Sequence, residues 1–323
     1  MTKPLRFGVQ AYAADSGNAW RELAKRAEAL GYSAFHLADH VIGPGPAITP
    51  TNHPIQNLAP ITAMAVAAEV TDTIKIGCRV FCVDYRNPVM LAKELATLDL
   101  FSDGRLEIGL GAGWLKNEYE AIGIQWDRAS TRIERLAANV ELVRASFADG
   151  ELNISNEHVH AVGFEAVPKP TQRPCPPIII GGGAPKVLGL AGQVADIISI
   201  NFDNSAGRIG PEGVGSGTAD GTSNKIDWIR AGAGDRFDEI ELEIGAYFTI
   251  VTDQREATLG AMAPRFGLTT DALAEHPHTL IGSTEAIAET ILERRARYGI
   301  SYVTVGAAAM ESFAPVVALL NGK

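Results

Sequence analysis

The stretch KIGCRVFCVDYRNPVMLAKELATLDLFSDGRLEIGLGAGW, residues 75–114, decides the fold. Its first part continues a short apolar run that predicts a strand over residues 74–83, and a second run predicts a strand over residues 105–109. A longer segment with helical period lies between them. Strands that alternate with helices in this way are typical of repeated βα units and a parallel sheet.

The same alternation extends in both directions along the chain. Eight short runs rich in Val, Ile and Phe predict eight strands, at residues 7–10, 34–38, 74–83, 105–109, 177–180, 197–200, 245–251 and 302–305. Eight βα units favour a closed (β/α)8 TIM barrel that forms a single domain over residues 1–323. The alternative is a doubly wound open sheet, but the switch point between two halves that it requires is not visible.

Three stretches do not fit the repeat and are predicted to be insertions into the barrel. They cover residues 41–58, 153–173 and 203–224, and the third is rich in Gly and Ser. Loops of this length in a compact domain are either disordered or functional. We expect lids at the first and third insertions, with disorder as the open alternative, and a small hairpin at the second because its residues alternate.

Composition excludes several classes of function. A formal net charge of −10 argues against a protein that coats nucleic acid, so a small molecule is the expected partner. No window approaches the length of a membrane-spanning helix, and the sequence MTKPLRFGVQ does not resemble a signal peptide. The three cysteines form no CxxC pair, which suits a reducing compartment. A cytoplasmic protein is the expectation.

Unusual residues collect at the predicted carboxyl ends of several strands, the face where TIM barrels place their active sites. His40 is the candidate proton donor or acceptor because imidazole titrates near neutral pH, and Asp39 beside it can tune the site. Further along the chain, Trp114 follows a glycine cluster and Asn201 follows the sixth strand.

Two glycine clusters are candidate cofactor contacts. The run Gly181-Gly182-Gly183 precedes a predicted helix, so its backbone amides are placed to hold a phosphate at a helix amino terminus, although a tight turn is the open alternative. Gly109, Gly111 and Gly113 lack the spacing and the acidic residue of a Rossmann fingerprint. In a barrel, they allow a flat ring to lie close to the backbone, or they serve packing alone.

Other reactive residues are given structural interpretations. His36 is predicted to lie in the core, whereas four histidines in loop or hairpin sequence are predicted to be solvated. Cys78 and Cys82 are interpreted as small buried hydrophobes. No HExxH helix, cysteine cluster or GxSxG elbow is present, so neither a zinc site nor a serine hydrolase is expected. The four histidines predicted to be solvated are His158, His160, His276 and His278.

The chain resembles the luciferase-like monooxygenase superfamily, and within it the oxidoreductases that depend on the deazaflavin coenzyme F420. The resemblance rests on FGVQ at residues 7–10, ADH at 38–40, the stretch 75–114 quoted above, and PPIIIGGGAPKVL at 176–188. It implies a (β/α)8 barrel, a homodimer, and FMN or F420 held at the carboxyl face, where hydride passes between the ring and a substrate.

The resemblance also implies roles for individual residues. Asp39 and His40 stand beside the cofactor ring, His40 being the proton donor or acceptor, and a non-proline cis peptide that joins Arg79 to Val80 backs the ring. The remaining implied cofactor contacts are Ala112, Gly113, Gly181, Gly182, Gly183 and Ala184.

One departure from the family pattern concerns the substrate side. Some sugar-phosphate dehydrogenases of the group have a glutamate acid where this chain has Trp114, which argues against that mechanism and against a sugar-phosphate substrate. Glu118, one helical turn further on, is a possible substitute, and a solvated helix face is its structural interpretation. Trp114 and Glu118 are therefore the candidate substrate residues.

The leading hypothesis is hydride transfer between F420 and a small unsaturated or carbonyl compound, in either direction, with His40 handling the proton. Two alternatives stay open. The first is an FMN-dependent monooxygenase that uses oxygen and a partner flavin reductase. The second is a barrel without catalysis that only binds a ligand or a partner.

Overall fold

Eight parallel strands close into a barrel in the computed structural model, which describes residues 3–323. The predicted (β/α)8 fold is confirmed, because the strands pair in the cyclic order β1-β12-β9-β8-β7-β4-β3-β2 and β2 pairs with β1. The barrel strands are β1 (Arg6–Ala11), β2 (Ala34–Leu37), β3 (Lys75–Cys82), β4 (Leu106–Gly111), β7 (Ile178–Gly182), β8 (Ile197–Ile200), β9 (Glu241–Ala246) and β12 (Ile300–Gly306). Outside the barrel lie β5 (Leu152–Ser155), β6 (His160–Phe164), β10 (Phe248–Val251) and β11 (Thr279–Gly282).

Helices alternate with these strands and pack apolar faces against them. In the first helix, Ser16 caps the amino terminus by accepting a hydrogen bond from the Ala19 amide, and Trp20 and Ala24 are buried. None of the helices within residues 3–323 is long and apolar enough to cross a bilayer. The helices are α1 (Gly17–Ala29), α2 (Pro60–Glu69), α3 (Pro88–Phe101), α4 (Lys116–Ala121), α5 (Ala129–Phe147), α6 (Pro185–Val194), α7 (Pro211–Gly215), α8 (Ala219–Ala233), α9 (Arg255–Met262), α10 (Thr270–Ala274), α11 (Thr284–Tyr298) and α12 (Met310–Leu320).

The three segments predicted to be insertions contain secondary structure. Strands β5 and β6 form the antiparallel hairpin predicted within residues 153–173. The insertion at 41–58 contains a 3₁₀ turn at Thr49–Thr51. Within the third predicted insertion, 203–224, α7 is present and α8 begins at Ala219, capped by Thr218. Gly and Ser are poor helix formers, so the composition of this segment did not indicate these two helices.

The seventh predicted strand was also misplaced. The strand predicted at 245–251 covers the end of β9 and the whole of β10, and only β9 belongs to the barrel. β10 instead pairs in parallel with β11, and α9 and α10 lie between them. This unit is a further insertion that the sequence did not reveal, because its apolar run is continuous with that of the barrel strand.

Buried ion pairs lie among the barrel strands. Glu107 on β4 accepts hydrogen bonds from Arg6 at 2.5 Å and Tyr302 at 3.3 Å, and it lies 3.1 Å from His36 Nε2. Burial by itself would raise the pKa of the Glu107 carboxyl, but Arg6 and His36 outweigh it and lower that pKa to about 2. His36 is fully buried, which confirms the core interpretation of this residue.

We predict that Glu107 makes the fold sensitive to acid. A carboxyl whose pKa is lower in the folded state stabilises the fold above its unfolded-state pKa and loses that contribution as pH falls. The free energy of unfolding should therefore decline between about pH 4.5 and pH 2, the interval over which the pKa of Glu107 is shifted. Urea unfolding at a series of pH values measures this slope.

Glu107→Gln should flatten this slope, since the side chain no longer titrates. Glu141→Gln, at an exposed position on α5, is the matched control and should keep the wild-type slope. Equal slopes in the wild type and Glu107→Gln would contradict the prediction.

Candidate active site

The predicted site residues lie on the carboxyl face of the barrel. Because all eight barrel strands are parallel, the segments that follow them open on one face. Asp39 and His40 follow β2, Ala112 to Trp114 follow β4, and Gly181 to Ala184 span the end of β7 and the start of α6. The grouping of these segments at one face is therefore found in the structure, while the roles of the individual residues stay predictions.

His40 is held by a carboxylate from another part of the barrel. Its Nδ1 lies 2.8 Å from Oε2 of Glu118, which belongs to α4, the short helix after β4. The imidazole is 11% exposed, so it is accessible from the barrel mouth, whereas Glu118 has no exposed surface. This pair joins the segments that follow β2 and β4.

The expectation that Glu118 lies on a solvated helix face is wrong. Both of its oxygens accept hydrogen bonds: Oε1 from the Val41 amide at 2.5 Å and the Ile42 amide at 3.3 Å, and Oε2 from the Tyr85 hydroxyl at 2.7 Å. Burial would raise the pKa of the Glu118 carboxyl, but the hydrogen bonds from His40, Tyr85 and Val41 outweigh it, and the pKa is lowered. Glu118 is therefore a buried carboxylate.

Asp39 is engaged by an arginine that the sequence analysis did not single out. Arg86 donates to both oxygens of Asp39, at 2.5 and 2.9 Å, and the Cys82 amide donates to Oδ2 at 3.0 Å. The Asp39 side chain is fully buried. It anchors the segment after β3 to the end of β2, and its predicted contact with a cofactor ring stays a prediction.

Aromatic rings surround His40 at the mouth. The ring of His53, from the insertion at 41–58, lies 3.9 Å from that of His40 between centroids, and Trp114 lies 6.0 Å from His40. Tyr12, which follows β1, packs edge-on against His53. Burial, together with the charge of a protonated His40, lowers the pKa of His53 to about 3, so His53 is neutral at physiological pH.

The floor of the mouth is formed where β3 bulges. The Arg79–Val80 peptide bond is cis, as the resemblance implied, and the pairing of β3 with β4 shifts register between Cys78 and Phe81. The Val80 side chain lies against glycines of two strands. A Cβ built on Gly111 would lie 2.5 Å from it, and one built on Gly181 would lie 3.6 Å from it. The glycines thus make room for the Val80 side chain.

Packing explains part of the glycine pattern. Gly113 has a φ of +70°, and a Cβ there would meet the Tyr119 hydroxyl at 1.8 Å. A Cβ on Gly183 would lie 2.1 Å from the Phe202 carbonyl oxygen, and one on Gly182 would lie 2.5 Å from Val187. Close packing therefore accounts for the absence of a side chain at Gly182 and Gly183, and the choice between a tight turn and phosphate binding stays open. Both interpretations place bare backbone just before α6.

The first and third insertions meet across the carboxyl face. The Ile209 amide donates to the Thr51 carbonyl at 2.8 Å, and the Asn52 side chain donates to the Ile209 carbonyl at 2.9 Å. The Asn117 side chain of α4 also donates to Ala47 of the first insertion at 3.1 Å. These contacts bridge the segments that follow β2, β4 and β8, and the lid role of the two insertions stays a prediction.

Two of the histidines predicted to be solvated are buried. His276 and His278 have no exposed surface and pack against Phe202. Burial lowers the pKa of both imidazoles, that of His276 to about 4. The prediction failed because the unit between β10 and β11, which buries them, was not foreseen. His160 is exposed and His158 is half-buried.

Several residues of the mouth escaped the sequence analysis. Tyr247 follows β9 and donates a hydrogen bond to the Asn201 side chain at the end of β8. Tyr12, His53, Tyr85 and Arg86 also contribute, and none of them lies in a recognisable motif. For Tyr12 the available signal was its position directly after the first strand, and for His53 its place in an insertion on the active face.

Comparison with known proteins identifies the family. The family model described as luciferase-like monooxygenase matches residues 4–250. The chain belongs to this family. The family and the barrel are thus those that the resemblance of residues 75–114 indicated.

Curated relatives of this luciferase-like protein use two different cofactors. It is 30% identical over 178 residues to an F420-dependent glucose-6-phosphate dehydrogenase of Amycolatopsis mediterranei, covering 54% of this chain and 50% of that protein. It is 26% identical over 177 residues to an FMNH2-dependent dimethylsulfone monooxygenase of Pseudomonas putida, covering 55% of this chain and 45% of that protein. The matches thus span about half the length of these relatives.

Solved structures share the fold over the whole chain. An F420-dependent secondary alcohol dehydrogenase in complex with an F420-acetone adduct superposes with a TM-score of 0.76 at 18% identity, covering 98% of both chains. The coenzyme F420-dependent tetrahydromethanopterin reductase of Methanopyrus kandleri superposes with a TM-score of 0.72 at 19% identity, covering 99% of both. At these identities the likeness shows the fold alone.

Proposed function

We propose that this luciferase-like protein is an oxidoreductase that transfers hydride between coenzyme F420 and a small organic substrate, with His40 as proton donor or acceptor. The observation that carries the proposal is the position of His40. It lies at the mouth of the barrel, accessible from outside, and is paired through Nδ1 with a buried carboxylate. An imidazole held in this way is suited to general acid–base catalysis near neutral pH.

The residues of the mouth fit a flat ring with a phosphate on its side chain. Val80 and the glycines beside it offer an apolar surface without bulky side chains, and Ala112 and Gly113 follow β4 at the same face of the barrel. The amino terminus of α6, after Gly181 to Ala184, suits a phosphate because its backbone amides and helix dipole favour an anion. When bound, the deazaflavin ring supplies a two-electron hydride donor or acceptor.

The substrate proton is assigned to Nε2 of His40. Nδ1 is occupied by Glu118, so Nε2 is the ring nitrogen left to meet a substrate. His53 and Trp114 pack around the same imidazole and are candidate walls for the substrate. The tryptophan at this position supports a substrate other than a sugar phosphate.

An FMN-dependent monooxygenase is the second candidate function. The similarity to the dimethylsulfone monooxygenase favours it, whereas the similarity to the F420-dependent dehydrogenase and the Asp39-His40 pair favour F420. The homodimer and the cytoplasmic location implied at the outset stay predictions.

Titration of the purified protein with each cofactor tests the choice. We expect F420 to bind at micromolar concentration, detected by its fluorescence, and FMN to bind at least about tenfold more weakly, a difference of about 1.4 kcal/mol. Micromolar FMN binding without F420 binding would overturn the proposal.

Turnover tests the hydride step. Acetone and 2-cyclohexen-1-one with reduced F420, and 2-propanol with oxidised F420, are suitable probes, followed by the absorbance of the cofactor. Acetone is chosen because one structural neighbour holds an F420-acetone adduct. Binding of F420 with no turnover of any probe would instead favour the non-catalytic barrel.

A further inference from the structure

We infer that Glu118 is a positioning residue that keeps the proton of His40 on Nδ1 and thereby leaves Nε2 as the atom that exchanges a proton with the substrate. The inference rests on the proposed function of His40. It adds the residue that fixes which ring nitrogen of His40 carries the hydrogen. Glu118 itself contacts no substrate, which distinguishes this role from the substrate role that the sequence suggested.

The first step of the argument is a count of hydrogen bonds to Glu118. A carboxylate has about four acceptor positions, two on each oxygen. In Glu118 these are taken by the amides of Val41 and Ile42 on Oε1, and by Tyr85 and His40 on Oε2. Two amides and a hydroxyl donate to these oxygens, and such hydrogen bonds lower the pKa of the carboxyl, so Glu118 is ionised at neutral pH and has no position left for a substrate.

The second step follows for the imidazole. An ionised carboxylate only accepts, so the contact of 2.8 Å between Oε2 and Nδ1 requires a hydrogen on Nδ1. In the neutral ring Nε2 then carries the lone pair, and in the protonated ring it carries the second N–H. Either way Nε2 is the nitrogen that gains or loses the proton.

The third step concerns the other groups that face His40. His53 is neutral, and its own Nδ1 lies 2.8 Å from the Pro54 carbonyl, an acceptor that likewise requires a hydrogen there. Asp39, next in the chain, is neutralised by Arg86. Trp114 approaches edge-on and carries no charge. Glu118 is thus the charged group in direct contact with the His40 ring.

A purely structural role for Glu118 is the competing explanation. Its bonds to Val41 and Ile42 also hold the start of the insertion at 41–58, so removing the carboxylate can disturb the mouth without involving the imidazole. Two measurements separate these roles. The first is the tautomer of His40, and the second is whether Glu118→Gln changes kcat or KM.

The tautomer is measured by ¹⁵N NMR of histidine-labelled protein, with the pH raised until the His40 signal is that of the neutral ring. The His40 signal is assigned by its loss in His40→Ala. We expect wild-type His40 to carry its hydrogen on Nδ1, and Glu118→Gln to show a mixture of tautomers. A wild-type signal with the hydrogen on Nε2 would overturn the inference, and this measurement needs no variant at position 118 to fold.

Turnover of acetone or 2-cyclohexen-1-one with reduced F420 gives the second readout. Glu118→Gln should lower kcat at least about tenfold, as expected when the partner that fixes a catalytic imidazole is lost. KM and F420 affinity should stay within about threefold. Glu120→Gln, on the same helix but exposed and paired with Lys116, is the matched control and should keep wild-type kcat and the wild-type tautomer.

The outcomes separate this inference from the proposed function. A rise in KM with unchanged kcat and an unchanged tautomer in Glu118→Gln would leave Glu118 a loop anchor and overturn the inference, while the role of His40 stands. Unchanged turnover in His40→Ala would instead remove the proposed proton role, and with it the inference.

Discussion

His40→Ala should lower turnover of the probe substrates by about 10²–10⁴-fold, the range supplied by a positioned general acid or base. The imidazole lies at the barrel mouth, its Nδ1 is bonded to Glu118, and Nε2 is left for the substrate. Without it, water must deliver or remove the proton. The proposed cofactor contacts come mainly from backbone at other strand ends, so F420 affinity should stay within about tenfold. Absorbance assays of F420 and fluorescence titration measure the two quantities.

His160→Ala is the matched control, because this imidazole is exposed on the β5–β6 hairpin, away from the carboxyl face. It should keep wild-type turnover. A His40→Ala enzyme with unchanged kcat would show that the substrate proton is handled elsewhere, even if F420 binds as proposed.

The barrel was predictable because its strands are short apolar runs that differ from the helical segments between them in period. This difference is local, and it is strong in residues 75–114, where a strand, a helix and a strand follow one another without interruption. The prediction of strands failed where two apolar runs follow each other without a break. β9 and β10 are separated by Tyr247 alone, so two strands of different sheets were taken for one.

The site was predictable as far as it depends on strand ends. His40, Trp114 and Gly182 follow or end barrel strands, and parallel strands place their carboxyl ends on one face. Contacts between side chains that come from different strand ends leave no pattern in the local sequence. Nothing in the sequence around Glu118 indicates that its carboxylate is buried against His40, since the two residues meet only after β2 and β4 pair with β3.

Insertions are the second source of failure. His53 reaches the mouth because the segment 41–58 folds back, with Gln56 bonded to the Ala38 carbonyl at 2.7 Å and to the His40 amide at 3.3 Å. His276 and His278 are buried by a unit that was not recognised. In both cases a histidine is buried because segments distant in sequence pack against each other. Neither composition nor periodicity indicates such packing.

Arg79→Ala should destabilise the fold by about 3–5 kcal/mol, the usual effect of removing one partner of a buried ion pair. The Arg79 guanidinium donates to Glu243 at 2.9 Å, to Gln10 at 2.7 Å and to Ser199 at 2.8 Å. The Glu243 side chain has no exposed surface, and its Oε1 has no hydrogen-bond partner within residues 3–323. Without Arg79 the Glu243 charge would lie in the barrel uncompensated. The free energy of unfolding from urea denaturation measures the effect.

The double variant Arg79→Met with Glu243→Leu distinguishes an uncompensated charge from lost packing. It removes both charges and fills the space with apolar side chains, so it should recover more than half of the stability that Arg79→Ala loses. Lys25→Ala, which breaks an exposed pair with Glu22, should change stability by less than about 0.5 kcal/mol. If the double variant were no more stable than Arg79→Ala, the loss would come from packing around the bulge of β3, and the charge of Glu243 would have little part in it.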